Sequence, residues 1–150
     1  MRFAPALALT LLAACGPGTI IQVLPPLTVV DTFPGNGTTL PGANVKHIDI
    51  VFSDRVDGAL ALSEIRLAAV SEGDEVLVQY DLVADEDKGE GGFDVGRLTL
   101  SALIGDPSLD GSLPDGNAYR VLISAGLKAT SGSVLPADVV HRFATRDLGP

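Results

Sequence analysis

Short apolar runs recur along residues 28–147, each closed within a few positions by glycine, proline or a polar cluster. This punctuation constrains the fold more than any other feature. The clearest run is Asn44 to Ser53, NVKHIDIVFS. Its apolar residues Ile48, Ile50 and Phe52 fall on one side of an extended chain, and His47, Asp49 and Ser53 fall on the other. That period of two is what a half-buried strand requires. Further strands are predicted over Thr28–Phe33, Ile65–Val70, Val76–Leu82, Arg97–Ser101, Tyr119–Ser124 and Val139–Thr145. Val78 and Tyr80 share a face, and Leu98, Leu100, Tyr119, Val121, Ile123 and Phe143 point inward. Turns are predicted at Pro34-Gly35-Asn36-Gly37 and Ser71–Glu75, with loops over 84–92 and 102–116. Ala59–Ile65 and Pro107–Leu109 have room for short helical turns. No crossover helix separates the strands, which favours antiparallel pairing in an all-β sandwich or barrel of about seven strands.

Composition says how such a fold must be held. The chain has 17 Gly and 10 Pro, no Trp and 5% aromatics, so the core has to be built mainly from Val, Ile and Leu. A single cysteine leaves no disulfide to close within the chain. The net charge is −9. Such an acidic surface repels phosphates and argues against nucleic acid as a partner. It equally disfavours electrostatic docking on anionic lipid.

The amino terminus reads differently. Arg2 is followed by an apolar run from Phe3 to Leu12, then by two alanines and Cys15. A run of about ten residues is too short to span a bilayer, which takes roughly 20, but it suits the core of an export signal. The sequence Leu12-Ala13-Ala14-Cys15-Gly16 resembles the lipobox of bacterial lipoproteins. In that family the cysteine thiol takes a diacylglyceryl group, the bond before it is cut, and the new amino terminus receives an acyl chain such as palmitate. The resemblance implies a signal peptide over residues 1–14, a lipid anchor at Cys15 and attachment to a membrane. In a Gram-negative host, Gly16 in place of the retaining Asp implies the outer membrane. Cleavage would remove Arg2, lowering Lys+Arg from 10 to 9 against 19 Asp+Glu, so the net charge becomes −10. The competing interpretation is an ordinary secretion signal in which Cys15 is incidental. Residues 15–27 form the lipidated terminus and a Gly/Pro-rich linker that spans at most about 40 Å when extended. Alternatively, Ile20, Ile21 and Val23 contribute a first strand.

Three segments resemble the bacterial Ig-like domain of S-layer and other surface proteins, and together they extend over residues 28–147. Val30–Pro34 with Gly35-Asn36-Gly37 is similar to its opening turn. Ile48–Asp57, IDIVFSDRVD, is similar to its most recognisable strand. Leu113–Val121 leads through Gly126-Leu127-Lys128 and Ser131–Leu135 to Phe143-Ala144-Thr145, similar to its closing strands. Ala129 and Ser133 depart from the family's usual Asp and Asn at those turns, and the loop from Ala102 is longer. The resemblance implies an antiparallel Ig-like β-sandwich acting as a structural or binding module. Asp115-Gly116-x-x-Tyr119 has the spacing of a tyrosine corner, in which a strand-start Tyr bonds back to nearby backbone.

The chain carries no G-x-S-x-G turn, P-loop, dinucleotide fingerprint, H-E-x-x-H or paired-cysteine zinc motif. His47 and His141, with Asp49, would make a metal site if their strands met. Asp85, Asp87, Glu90 and Asp94 offer oxygen ligands for calcium on a Gly-containing loop, although the EF-hand spacing is not kept. A solvated acidic loop accounts for them equally well. Asp106, Asp110 and Asp115 repeat the pattern beside turn residues. The expected function is a non-enzymatic, lipid-anchored envelope protein that meets a protein partner through its loops. The alternatives are a calcium-stabilised adhesion module and a small envelope hydrolase.

Overall fold

The computed structural model describes residues 23–84, 96–104 and 111–146, and within them the chain forms eight strands and one α-helix. The strands are β1 (Val29–Phe33), β2 (Thr39–Pro41), β3 (Ile48–Phe52), β4 (Ile65–Val70), β5 (Val76–Ala84), β6 (Arg97–Leu103), β7 (Ala118–Ile123) and β8 (Val139–Arg146). The helix α1 (Gly58–Glu64) lies between β3 and β4. Asp57 caps it, its Oδ1 accepting from the amides of Ala59 at 2.9 Å and Leu60 at 3.1 Å. That side chain satisfies amides that a helix start otherwise leaves unpaired.

The strands join in the order β1-β3-β6-β5-β4-β7-β8-β2. Every pairing is antiparallel except that of β2 with β8. Strand β5 belongs to two layers. Its first half, Val76 to Tyr80, pairs with β4, and its second half, Asp81 to Ala84, pairs with β6. The sheet thereby curls over itself. One layer is β1-β3-β6 with the end of β5, and the other is the start of β5 with β4-β7-β8-β2. The two layers make an all-β, sandwich-like fold. The all-β expectation holds, with one strand more than the seven read from sequence.

The core lies between the layers. Ile48, Ile50, Phe52, Leu98 and Leu100 enter it from one side, and Ile65, Leu67, Tyr119, Val121, Ile123 and Phe143 from the other. All are buried, as the period-two reading requires. Packing starts at Leu27, which is fully buried and whose amide donates to the Val134 carbonyl at 3.0 Å. Residues 23–28 carry no strand.

Three segments differ from the sequence reading. Strand β2 is only three residues long, too short to show a period, and it takes its place by running parallel along Ala144–Arg146 of β8. Asn44 to His47 is not part of β3, because Gly42–Asn44 forms a 3-10 turn that buries Val45 beneath it. Val78, two residues before Tyr80 on β5, is 49% exposed, whereas Tyr80 packs against the core. Val76 and Leu77 are exposed beside Val78.

Candidate functional site

Several residues singled out from sequence lie outside the described residues: Cys15, the calcium candidates Asp85, Asp87, Glu90 and Asp94, and Asp106 and Asp110. The remaining candidates are placed. His141 is buried inside β8, its Nε2 donating to the Pro34 carbonyl at 2.7 Å, with Thr32 Oγ1 3.1 Å away. The ring secures the segment in which the chain passes from β1 toward β2 around the cis Phe33–Pro34 bond. His47 stands apart from that role, 5.9 Å from the Phe33 ring and 3.7 Å from Asp49 Oδ2. Asp49 is occupied by Thr99 Oγ1, which donates at 2.6 Å, and by Arg97 Nη1 at 3.2 Å. No three His, Cys, Asp or Glu residues converge as a metal site among the described residues, so His47, His141 and Asp49 do not form the one imagined from sequence. The reason is that His141 faces the core while Asp49 points off the outer face of β3.

Tyr119, the second residue of β7, is fully buried, its ring stacked on Phe143 at 5.2 Å. Its hydroxyl donates to the Pro114 carbonyl at 2.9 Å, the reach-back that a tyrosine corner makes. The same carbonyl accepts Thr145 Oγ1 at 2.7 Å. Burial, and then the neighbouring Tyr80, push the Tyr119 phenol well above its usual range. Gly116 takes φ +72°, a left-handed conformation that costs glycine nothing. The Asp115 carboxylate accepts from the Gly42 amide, so it ties this corner to the turn before β3.

A further constellation went unnoticed in the sequence. Arg120 of β7 and Arg142 of β8 are directly opposite each other across the strand pair, on the outer face of the sandwich. Like charges so placed destabilise a sheet unless a counter-charge intervenes. Asp74, in the β4–β5 turn, supplies it. Its Oδ2 lies 2.9 Å from Arg120 Nη1 and 2.9 Å from Arg142 Nη2. To reach there Asp74 adopts φ +65°, the left-handed region that Asp and Asn enter more readily than other side-chain-bearing residues. Hydrogen bonds from Arg142, and then Arg120, hold its carboxyl below the usual carboxylate range.

Beside this triad is an open cleft of about 310 Å³. Val70, Ala118 and Ala144, in register across β4, β7 and β8, line its floor. The β4–β5 turn, including Ser71, Glu72 and Asp74, forms one wall, and Gly37 to Thr39 the other, with Arg142 beside them. Two alanines in the floor leave the space that larger side chains would fill.

No helix among the described residues is long and apolar enough to cross a membrane. No protein-family model and no curated protein matches the chain. Solved structures do resemble it. The S-layer protein rSbsC aligns over 83% of this chain at 16% identity with a TM-score of 0.52. A structure of domains 1–6 of the surface layer protein SbsC aligns over 83% at 18% identity with a TM-score of 0.51. This chain spans 14% of the length of each of those S-layer chains. CopC from Methylosinus trichosporium OB3b aligns over 83% of this chain and 97% of its own at 14% identity, with a TM-score of 0.49. At such identities the shared property is the fold, an all-β sandwich also found in S-layer proteins.

Proposed function

We propose that this protein is a lipid-anchored component of a bacterial cell envelope whose Ig-like sandwich serves as a non-enzymatic structural or binding module. One observation carries the proposal: Leu12-Ala13-Ala14-Cys15-Gly16 closes a signal-length apolar run ahead of a small β-sandwich whose first strand begins at Val29. Two or more acyl chains at Cys15 would give a stable anchor, at about 0.8 kcal/mol per buried CH₂. The fold likeness to S-layer domains supports placement at the cell surface, and in a Gram-negative host Gly16 supports the outer membrane. The absence of nucleophile motifs from the sequence favours a binding role over hydrolysis.

The test is fractionation of cells producing the wild-type chain or Cys15→Ala. The wild-type protein is expected in the membrane fraction and in the detergent phase of a Triton X-114 partition. The variant is expected to lose both properties. Continued membrane association of Cys15→Ala would overturn the anchor.

A further inference from the structure

We propose that Asn36–Gly37 is a latent deamidation site, kept closed by β8 and opened when the start of β2 lifts away from it. The inference goes beyond the proposed function and does not depend on the membrane anchor. It begins with the sequence. The chain has three asparagines: Asn36 precedes Gly37, Asn44 precedes Val45 and Asn117 precedes Ala118. In deamidation the backbone nitrogen of the following residue attacks the asparagine Cγ. The new N–Cγ bond closes a succinimide ring, the Cγ–Nδ2 bond breaks, and ammonia leaves with the proton lost by that nitrogen. Water then opens the ring at either carbonyl, giving aspartate or a β-linked isoaspartate. A side chain on the attacking residue hinders ring closure, and glycine has none. Asn36 is therefore the reactive asparagine of the three.

The fold supplies the water and withholds the geometry. Asn36 and Gly37 are exposed in the turn between β1 and β2. Both reacting groups are nevertheless tied to one residue of β8. Gly37 N donates to Arg142 O at 2.7 Å, and Arg142 N donates to Asn36 Oδ1 at 2.9 Å. The nitrogen that must attack is thus held by a carbonyl, and the amide that must turn toward it is held by an N–H. The Asn36 side chain acts here as a backbone carbonyl would, extending the pairing along β8. Ala144 N continues it by donating to Thr38 O at 2.9 Å. What backs this clamp is short: β2 is only Thr39–Pro41, at the edge of the sheet. Local opening of such an edge costs less than global unfolding, so it sets the reaction rate in the native chain. The two products differ. Aspartate keeps an acceptor oxygen where Oδ1 was, so the clamp re-forms. Isoaspartate inserts a carbon into the main chain between positions 36 and 37, so both bonds cannot return in register, and β2 loses this attachment permanently.

The experiment incubates the full chain at mildly alkaline pH, native and in denaturing guanidinium chloride. Each asparagine is followed by peptide mass spectrometry with aspartate and isoaspartate separated. In denaturant Asn36 is expected to convert while Asn44 and Asn117 remain intact. In the native chain Asn36 is expected to convert at least about tenfold more slowly. Thr38→Ala removes the 2.6 Å bond from Thr38 Oγ1 to the Gly35 carbonyl across the turn. It is expected to speed the native reaction several-fold and to leave the rate in denaturant unchanged. Hydrogen exchange at the Ala144 amide is expected to quicken in the isoaspartate fraction and not in the aspartate fraction. Equal rates at Asn36 in the native and denatured chain would overturn the clamp. Conversion of Asn44 or Asn117 as fast as Asn36 in denaturant would overturn the site. Neither result depends on Cys15, so failure here is separable from failure of the anchor.

Discussion

The Pro114 carbonyl receives two hydroxyls, from Tyr119 at 2.9 Å and Thr145 at 2.7 Å, and this shared acceptor makes a quantitative test of the corner. Tyr119→Phe keeps the buried ring and its stacking on Phe143 but removes one donor. Thr145→Val keeps the volume and removes the other. Each single change leaves the carbonyl with one partner, so each is expected to cost about 1 kcal/mol, the net worth of an ordinary hydrogen bond. Thr145→Val also takes an acceptor from the Asn117 amide, 3.2 Å from Thr145 Oγ1, a loss common to the single and double variants that cancels from the coupling. Together they leave a part-buried acceptor unpaired, which adds its desolvation penalty. The double variant is then expected to lose about 3 kcal/mol, a coupling of about 1 kcal/mol beyond the sum. Urea denaturation reads this directly, as shifts in midpoint at unchanged m. Additivity within about 0.3 kcal/mol would refute the reasoning, because it would mean that water reaches the carbonyl once the hydroxyls are gone.

A phenol whose pKa is raised by folding stabilises the native state fully below the unfolded value of about 10. That contribution fades as pH climbs through the folded value, so stability should fall above about pH 10 in wild type, and less so in Tyr119→Phe, as read by chemical denaturation across pH. Asp74 has the opposite sign. Its lowered pKa contributes stability above the unfolded value of about 3.9 that disappears as pH falls through the folded value, so Asp74→Asn should flatten the acid limb of a melting-temperature profile. A Cβ at Gly96 would meet the Phe52 carbonyl oxygen at 2.0 Å. Gly96→Ala is therefore expected to cost at least about 2 kcal/mol in a denaturant midpoint assay. Melting with and without a calcium chelator should give the same temperature; a drop with chelator would favour the calcium-stabilised alternative.

What the sequence disclosed follows the range of the forces involved. The inward residues of β3, β6 and β7 were legible because alternation is a local signal that burial enforces. The helix over α1 was nearly legible, since Asp57 sits where a cap belongs. Strand β2 was not, because Thr39-Leu40-Pro41 is too short for a period and owes its state to β8. The alternation around Val78 and Tyr80 did not reveal that Tyr80 packs on the core while Val78 stays exposed. Which residues of a strand find cover is a tertiary fact. The Asp74 triad was hidden for the same reason. It joins residues 46 and 68 positions apart, and each alone reads as a surface charge. The His47–His141–Asp49 idea failed because shared fold proximity does not fix which face each side chain takes. Cys15 is the reverse case, because its proposed chemistry is written in five consecutive residues and owes nothing to the fold.

The most direct test of the proposed function is therefore at that residue. Intact-mass and peptide mass spectrometry of the protein from its native membrane should find a chain beginning at Cys15, carrying the added mass of a diacylglyceryl group and an amino-terminal acyl chain. A chain that retains residues 1–14, or one that begins elsewhere with an unmodified Cys15 thiol, would contradict it.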